Sequence, residues 1–213
     1  MSLICRLTSP GGLEITERAL ALCAFKRGAR IVDIGCGRGE SVALMRSKYG
    51  LNACGIDIDR EIIRESAANG VQQVSLGDAC SLLFADDSVE GIFYECSFSK
   101  ITEETKALSE AARVLKYGGK IVIADFCSLA EEKTFTGILG RVEKRENIER
   151  KLTNAGFSLT HFEDRSRDLM TLMGQLIFDY GKDALYQMLG ADEGSFKDIK
   201  CSYGLFIAAK GNC

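Results

Sequence analysis

Tryptophan is absent from this sequence, and proline and histidine occur once each, at Pro10 and His161. With so little proline, nothing reads as a stiff or Pro-rich linker, and one domain over residues 1–213 is expected. No window holds eighteen apolar residues, so no segment has the length and apolarity of a bilayer span. The start, MSLICRLTSPGG, has no charged stretch followed by an apolar core of the secretory type, which leaves the cytoplasm as the expected location. Nine cysteines are scattered through the chain without one CxxC pair. Paired ligands at short spacing mark zinc sites, and with a lone histidine that chemistry has little to work with. In a reducing compartment such cysteines serve mainly as small buried hydrophobes. His161, in the alternating stretch FSLTHFED, reads as a sheet residue.

Excess positive charge is missing too. Lys plus Arg total 27 against 30 Asp plus Glu, a net charge of −3. A dedicated nucleic-acid binder carries a basic face, so a nucleic-acid partner is not expected. The one dense charge run, RVEKRENIERK at 141–151, mixes both signs and reads as a solvated helix face.

What is present is strict alternation. Apolar strand candidates lie at Arg30–Ile34, Asn52–Asp57, Gln72–Leu76, Val89–Glu95, Lys120–Asp125, Phe157–Glu163 and Tyr203–Ala209, and most stop at a turn residue or an acid. Helical patterns fill the gaps. Glu40–Tyr49 stops at Gly50, and Arg60–Asn69 is capped by Asp59. A third helix carries Leu108, Ala111, Ala112 and Leu115 at helical spacing, with Thr102 as its expected N-cap. A helical segment is expected over 127–145 and a further helix near Asn147–Ala155. This pattern predicts a mostly parallel sheet with helices on both faces.

The informative stretch is IVDIGCGRGES, residues 31–41. A strand delivers Asp33, then Gly35, Gly37 and Gly39 follow on alternate positions with Cys36 between the first two. Ligands of doubly wound sheets bind at the carboxyl ends of the strands, and glycines let the backbone turn tightly beside a ligand. The dinucleotide fingerprint GxGxxG is not met. Its third position is Glu40, a carboxylate where a pyrophosphate would sit, which argues against a nicotinamide oxidoreductase. Asp57, closing GIDID about twenty residues on, stands where an acid accepts from ribose hydroxyls. Asp78 in GDA suits the adenine amino group, with the Ala79 amide facing a ring nitrogen.

As a set, VDIGCGRGES, GIDID, GDACSLLFADDSVEGIFYECSFSKI and ALSEAARVLKYGGKIVIADF resemble the class I S-adenosylmethionine-dependent methyltransferases. The resemblance extends upstream to SPGGLEITERALAL and downstream to NAGFSLTHFED and YGLFIAAKG. It implies a Rossmann-like, doubly wound sheet of seven strands ending in an antiparallel hairpin. Residues 1–27 would be a leading helix and lid, 28–126 the cofactor-binding core, and 127–213 the acceptor side. It implies S-adenosylmethionine as cofactor and methyl transfer to a small-molecule acceptor. Asp33, Gly35, Cys36 and Gly37 would hold the methionine end, Asp57 the ribose, Ile58 the adenine face, and Asp78 and Ala79 its edge. Cys96 would line the wall near the sulfonium. A sensor that binds the cofactor without turnover fits the same loop.

No residue announces itself as a general base. Tyr94, Glu95, Cys96, Ser99, Lys100, Asp125 and Cys127 line the expected ends of strands four and five. Glu95 suits either a cationic acceptor or the cofactor's ammonium, and Arg38 a carboxylate. Cys5, Cys96 and Cys127 together would suit a soft metalloid acceptor. Segments 3–13 and 128–141 have the composition of a mobile cover. The acceptor's identity and the oligomeric state are not legible.

Overall fold

In the computed structural model, residues 9–211 are described. The central strands form because their sequences are apolar on both faces, as a parallel sheet covered by helices requires. Strand β1 (Arg30–Ile34) is buried at every position but the first, and β4 (Val89–Glu95) through most of its length. With β2 (Asn52–Asp57), β3 (Val74–Leu76) and the long β5 (Leu115–Ser128) they run parallel in the order β3-β2-β1-β4-β5. The sheet then turns antiparallel. The last strand, β9 (Cys201–Lys210), pairs along β5 from Lys120↔Ala209 to Ser128↔Cys201, and β8 (Phe157–Asp164) closes the edge against β9.

Each face is covered by its own helices. On one lie α1 (Leu13–Cys23) and α2 (Glu40–Ser47), whose Ile15, Ala19, Leu20, Val42 and Met45 join Ile31, Phe93, Val122 and Leu205 in one core. On the other, α4 (Glu104–Val114) and α5 (Arg145–Asn154) bury Leu108, Ala111, Ile148 and Leu152 against Val32, Ile92, Tyr94 and Ile123. Strand alternation sorts the residues between the two. Asp33, two along from Ile31, and Glu95, two along from Phe93, therefore point to the α1/α2 face. Helix α3 (Arg60–Ala68) starts where expected, with Asp59 accepting from the Glu61 amide at 2.8 Å.

Three expectations are corrected. Residues 127–144 are not helical. β5 runs on to Ser128, and a hairpin of β6 (Lys133–Thr134) and β7 (Arg141–Lys144) follows. Phe135, Ile138 and Leu139 imitate a helical repeat, but they sit in a turn closed by the Phe135 amide on the Gly140 carbonyl at 2.8 Å. Thr102 does not cap α4. Glu103 precedes the first turn and makes no capping bond. The charge run at 141–151 is split between β7 and α5 and is solvated only in part: Lys144, Arg145, Glu146 and Arg150 are exposed, while Arg141 and Lys151 both pair with Glu104 and Glu143. The second half carries α6 (Ser166–Tyr180), α7 (Lys182–Leu189) and α8 (Glu193–Ile199) before β9.

Candidate cofactor site

At the carboxyl ends of the parallel strands the chain makes four consecutive turns, and each delivers a residue singled out above. The glycine loop leaves β1 with Gly35, Gly37 and Gly39 all in the left-handed region, φ 74°, 54° and 79°. Gly35 is needed twice over. A Cβ there would stand 2.4 Å from Ser97 Cβ, at the end of β4. The loop folds back on β2, where the amides of Gly35 and Cys36 both donate to the Ile56 carbonyl, at 2.8 and 3.1 Å.

Asp57 ends β2 and ties two loops together. Its Oδ2 accepts from the Gly37 amide at 2.9 Å and its Oδ1 from the Asp59 amide at 2.9 Å. A carboxylate has about four acceptor positions, so two amides leave room for two hydroxyls. Ile58 follows with 73% of its surface exposed, a large apolar side chain at the open end. On the neighbouring strand the Gly77 amide donates to the Asp57 carbonyl at 2.9 Å, so Asp78 and Ala79 stand beside Ile58. Asp78 is exposed, and its Oδ1 accepts from the Cys80 amide at 2.8 Å.

Asp33 lies under the loop, buried, and accepts from Ser41 on α2. Burial raises its carboxyl to about 6, and the charge of Asp57 adds to the rise while Ser41 opposes it. Glu95 ends β4 on the same face. Its Oε2 accepts from Thr16 Oγ1 of α1 at 2.9 Å, and its Oε1 is buried with no partner. Burial, then Asp33, pushes Glu95 up to about 8.

Other candidates are placed elsewhere. The Cys36 side chain turns away from the loop's open side, since a Cβ on Gly55 would lie 2.5 Å from its Sγ; only its backbone faces the cradle. Tyr94 is sealed in the opposite core against Phe98. Asp125 is buried and bonded to the amides of Ser99 and Phe126, both at 2.8 Å. Ser99 is buried and Lys100 exposed. Arg38 pairs with Glu65 of α3 at 2.9 Å. Cys96 belongs to the α1/α2 face and Cys127 to the other, so these two thiols do not converge, and Cys5 lies outside the described residues. No cluster of three metal-ligating side chains occurs among the described residues. Nor is 128–141 a free flap: Leu139 is fully buried, and a Cβ on Gly140 would stand 2.6 Å from the Ser99 carbonyl oxygen. Of 3–13, only the part from Ser9 is described.

Three participants carry no signal in the sequence. Thr16 and Ser41 are ordinary helix residues until tertiary packing brings them to Glu95 and Asp33. Tyr203 of β9 reaches across β5, donating its hydroxyl to the Ala124 carbonyl at 3.0 Å, 3.3 Å from Cys96 Sγ. Cys96 itself is a non-glycine residue at φ 52°, a strain that proteins concentrate at functional sites.

Comparison with known proteins bears on the same region. A family model described as a methyltransferase domain matches residues 32–123. Phosphoethanolamine N-methyltransferase 1 of Zea mays is 27% identical over 229 residues, covering 95% of this chain and 45% of its own length. The O-methyltransferase resE of Aspergillus sclerotiorum is 33% identical over 121 residues, 54% of this chain and 46% of its own length. The chain thus spans less than half the length of these two relatives. Among solved structures, phosphoethanolamine N-methyltransferase 2 of Haemonchus contortus, in complex with phosphomonomethylethanolamine and S-adenosylhomocysteine, superposes with a TM-score of 0.72. It is 21% identical, with 96% of this chain and 54% of that one covered.

Proposed function

We propose that the chain is a class I S-adenosylmethionine-dependent methyltransferase that transfers a methyl group to a small-molecule acceptor, a reading supported by the methyltransferase-domain match over residues 32–123 and by the relative matched along 95% of the chain. The observation that carries this reading is the carboxylate of Asp57, bonded to the Gly37 amide and still open to two hydroxyls. We read the whole described chain as one methyltransferase domain, with 28–126 holding the cofactor and 127–213 the acceptor side.

The residues suit this cofactor and not a dinucleotide. Asp33, Asp57 and Glu95 gather under one loop, and Glu40 opens the following helix. A pyrophosphate would meet four acids there, whereas a cationic sulfonium carrying an ammonium is favoured by them. The cofactor supplies an activated methyl group on sulfur. Asp33 and the Gly35–Gly37 loop hold its methionine end, and Asp57 orients the ribose. Ile58 covers one face of the adenine, and Asp78 with the Ala79 amide reads its edge. The Cys96 wall, braced by Tyr203, limits where an acceptor can lie. Alignment of this kind is worth up to about 7–11 kcal/mol.

The two phosphoethanolamine N-methyltransferases named above carry a small-molecule substrate in their names, and the acidic balance of this chain disfavours nucleic acid. A second reading, a cofactor-binding sensor without turnover, is favoured by one observation. Asp125, Tyr94 and Ser99 are all sealed, which leaves the pocket without a free general base among them. One screen separates the readings: S-adenosylhomocysteine formation across amines, phosphoamines, phenols, carboxylates, thiols and arsenite. Turnover of one small acceptor supports the transferase, and binding without turnover across the panel supports the sensor. Robust methylation of bulk RNA would overturn the small-molecule reading.

A further inference from the structure

Glu95 ends β4 with one oxygen satisfied and the other orphaned. Thr16 donates to Oε2, while Oε1 is buried without a partner. A buried acceptor left unpaired is a standing penalty, larger when the group is charged. Among the described residues, the groups that face Glu95 do nothing to offset a charge. They are Thr16 from α1, Asp33 from β1, Cys96 next to it in sequence, and Tyr203 from β9. Thr16 is neutral, and the other three are acids. Two buried carboxyls on one face, with no cation facing them among the described residues, do not both ionise readily, and burial with the Asp33 charge favours the protonated form of Glu95. Asp33 already accepts from Ser41, so the unsatisfied acceptor is on Glu95.

Among the described residues, nothing supplies the cation that this site would accept. We propose that Glu95 is the counter-group for the α-ammonium of the bound cofactor or its product, reached through Oε1, and that it gives one proton to solvent when that ammonium docks. The inference rests on the reading of the loop as a cofactor cradle. The exchange balances without any redox step. The carboxyl O–H bond breaks, its proton passes to the buffer, and the carboxylate accepts hydrogen bonds from an ammonium that keeps all its own protons. Glu95 is then a positioning residue: it sets how the cofactor's amino-acid end lies, and touches no reacting atom.

The test is calorimetry of S-adenosylhomocysteine binding at pH 7, repeated in buffers of low and high ionisation enthalpy, with phosphate and Tris as the pair. The dependence of the heat on the buffer counts the protons. The expected result is release of close to one proton per ligand, as a Glu95 carboxyl protonated before binding requires, and a smaller release as the pH is raised. 5′-Methylthioadenosine, which fits the same cradle but lacks the amino-acid end, should release none. Glu95→Gln should bind S-adenosylhomocysteine about tenfold more weakly, the scale of one charge-assisted hydrogen bond, with no proton released. Binding of S-adenosylhomocysteine to the wild-type chain without proton release overturns the proposal and leaves the cofactor assignment standing. Equal release with methylthioadenosine overturns it as well. No binding of either ligand overturns the cofactor reading and this proposal with it. The two wild-type arms decide the matter even if Glu95→Gln does not fold.

Discussion

Gly37 and Asp57, twenty residues apart, are joined by a 2.9 Å hydrogen bond from the amide of one to the carboxylate of the other. The bond makes the loop after β1 and the turn after β2 one unit. An acid at this position therefore has one role toward the chain and, in the function proposed above, a second toward a ribose.

Asp57→Ala should remove both roles. Binding of S-adenosylhomocysteine should weaken by about 1–3 kcal/mol, the usual cost of losing a charged hydrogen-bond partner. Asp57→Asn keeps one acceptor oxygen and should lose less. Titration calorimetry of the three proteins checks the order, with NAD as the negative control. Unchanged affinity in the alanine variant would mean that the ribose lies elsewhere.

Gly35→Ala tests the close approach of loop and strand. The residue has φ 74°, and its Cβ would lie 2.4 Å from Ser97 Cβ. The left-handed conformation alone costs a side chain roughly 1–2 kcal/mol, and the clash adds to it. The melting temperature should fall by several degrees, as about 1 kcal/mol shifts a chain of this size by roughly 2–4 °C. Adding Ser97→Gly should recover the part due to the clash. A double variant no more stable than the single would show that strain in the backbone is the whole effect.

Stability should fall as the pH rises from about 4 to 8. Asp33 is raised from 3.8 to about 6 and Glu95 from 4.5 to about 8. Across that window the folded chain holds protons that the unfolded chain has lost. Their contribution is fully present below the unfolded values and disappears as the pH climbs through the folded ones. The slope approaches about 1.4 kcal/mol per pH unit for one such proton. Urea denaturation of the ligand-free protein at pH 5, 6.5 and 8 measures it, and Glu95→Gln should flatten the upper half. A wild-type stability that rises through this range is the contrary result.

The thiols give a fourth test. Burial pushes Cys36, Cys96 and Cys127 well above the ordinary range for a thiol. Since the thiolate is the reactive form, all three should resist iodoacetamide at pH 7.5 in the folded protein and react in urea. S-adenosylhomocysteine should add little to the protection of Cys36, whose side chain lies behind the loop. Rapid labelling of Cys36 relieved by ligand would place its sulfur in the pocket.

The residues that were legible from sequence are those whose roles are local. The bounds of β1, β2 and β4 follow from apolar runs that end at a glycine or an acid, and the loop glycines advertise backbone geometry. Asp59 caps the helix next to it in sequence. What stayed hidden depends on distant partners. Nothing around Thr16 announces Glu95, 79 residues away, and Arg38 lies beside the glycines yet finds Glu65, 27 residues on. Residues 135–139 failed for a different reason. A short apolar triplet at spacings of three and four is compatible with a helix turn or a hairpin bend, and only β5 running on to Ser128 decides between them.

Gly137 and Gly190 meet backbone to backbone, so that a Cβ on either would lie within 2.4 Å of the other's main chain. One glycine belongs to the hairpin inserted after β5, the other to the turn between α7 and α8. Two insertions distant in sequence are thereby keyed to each other, like the halves of a clasp. A change in the length or bulk of one segment cannot be absorbed locally and must be answered in the other. If 127–213 is the acceptor side, as proposed, engineering of acceptor preference should exchange 129–144 and 181–200 together, as one cassette, over a core left as it is.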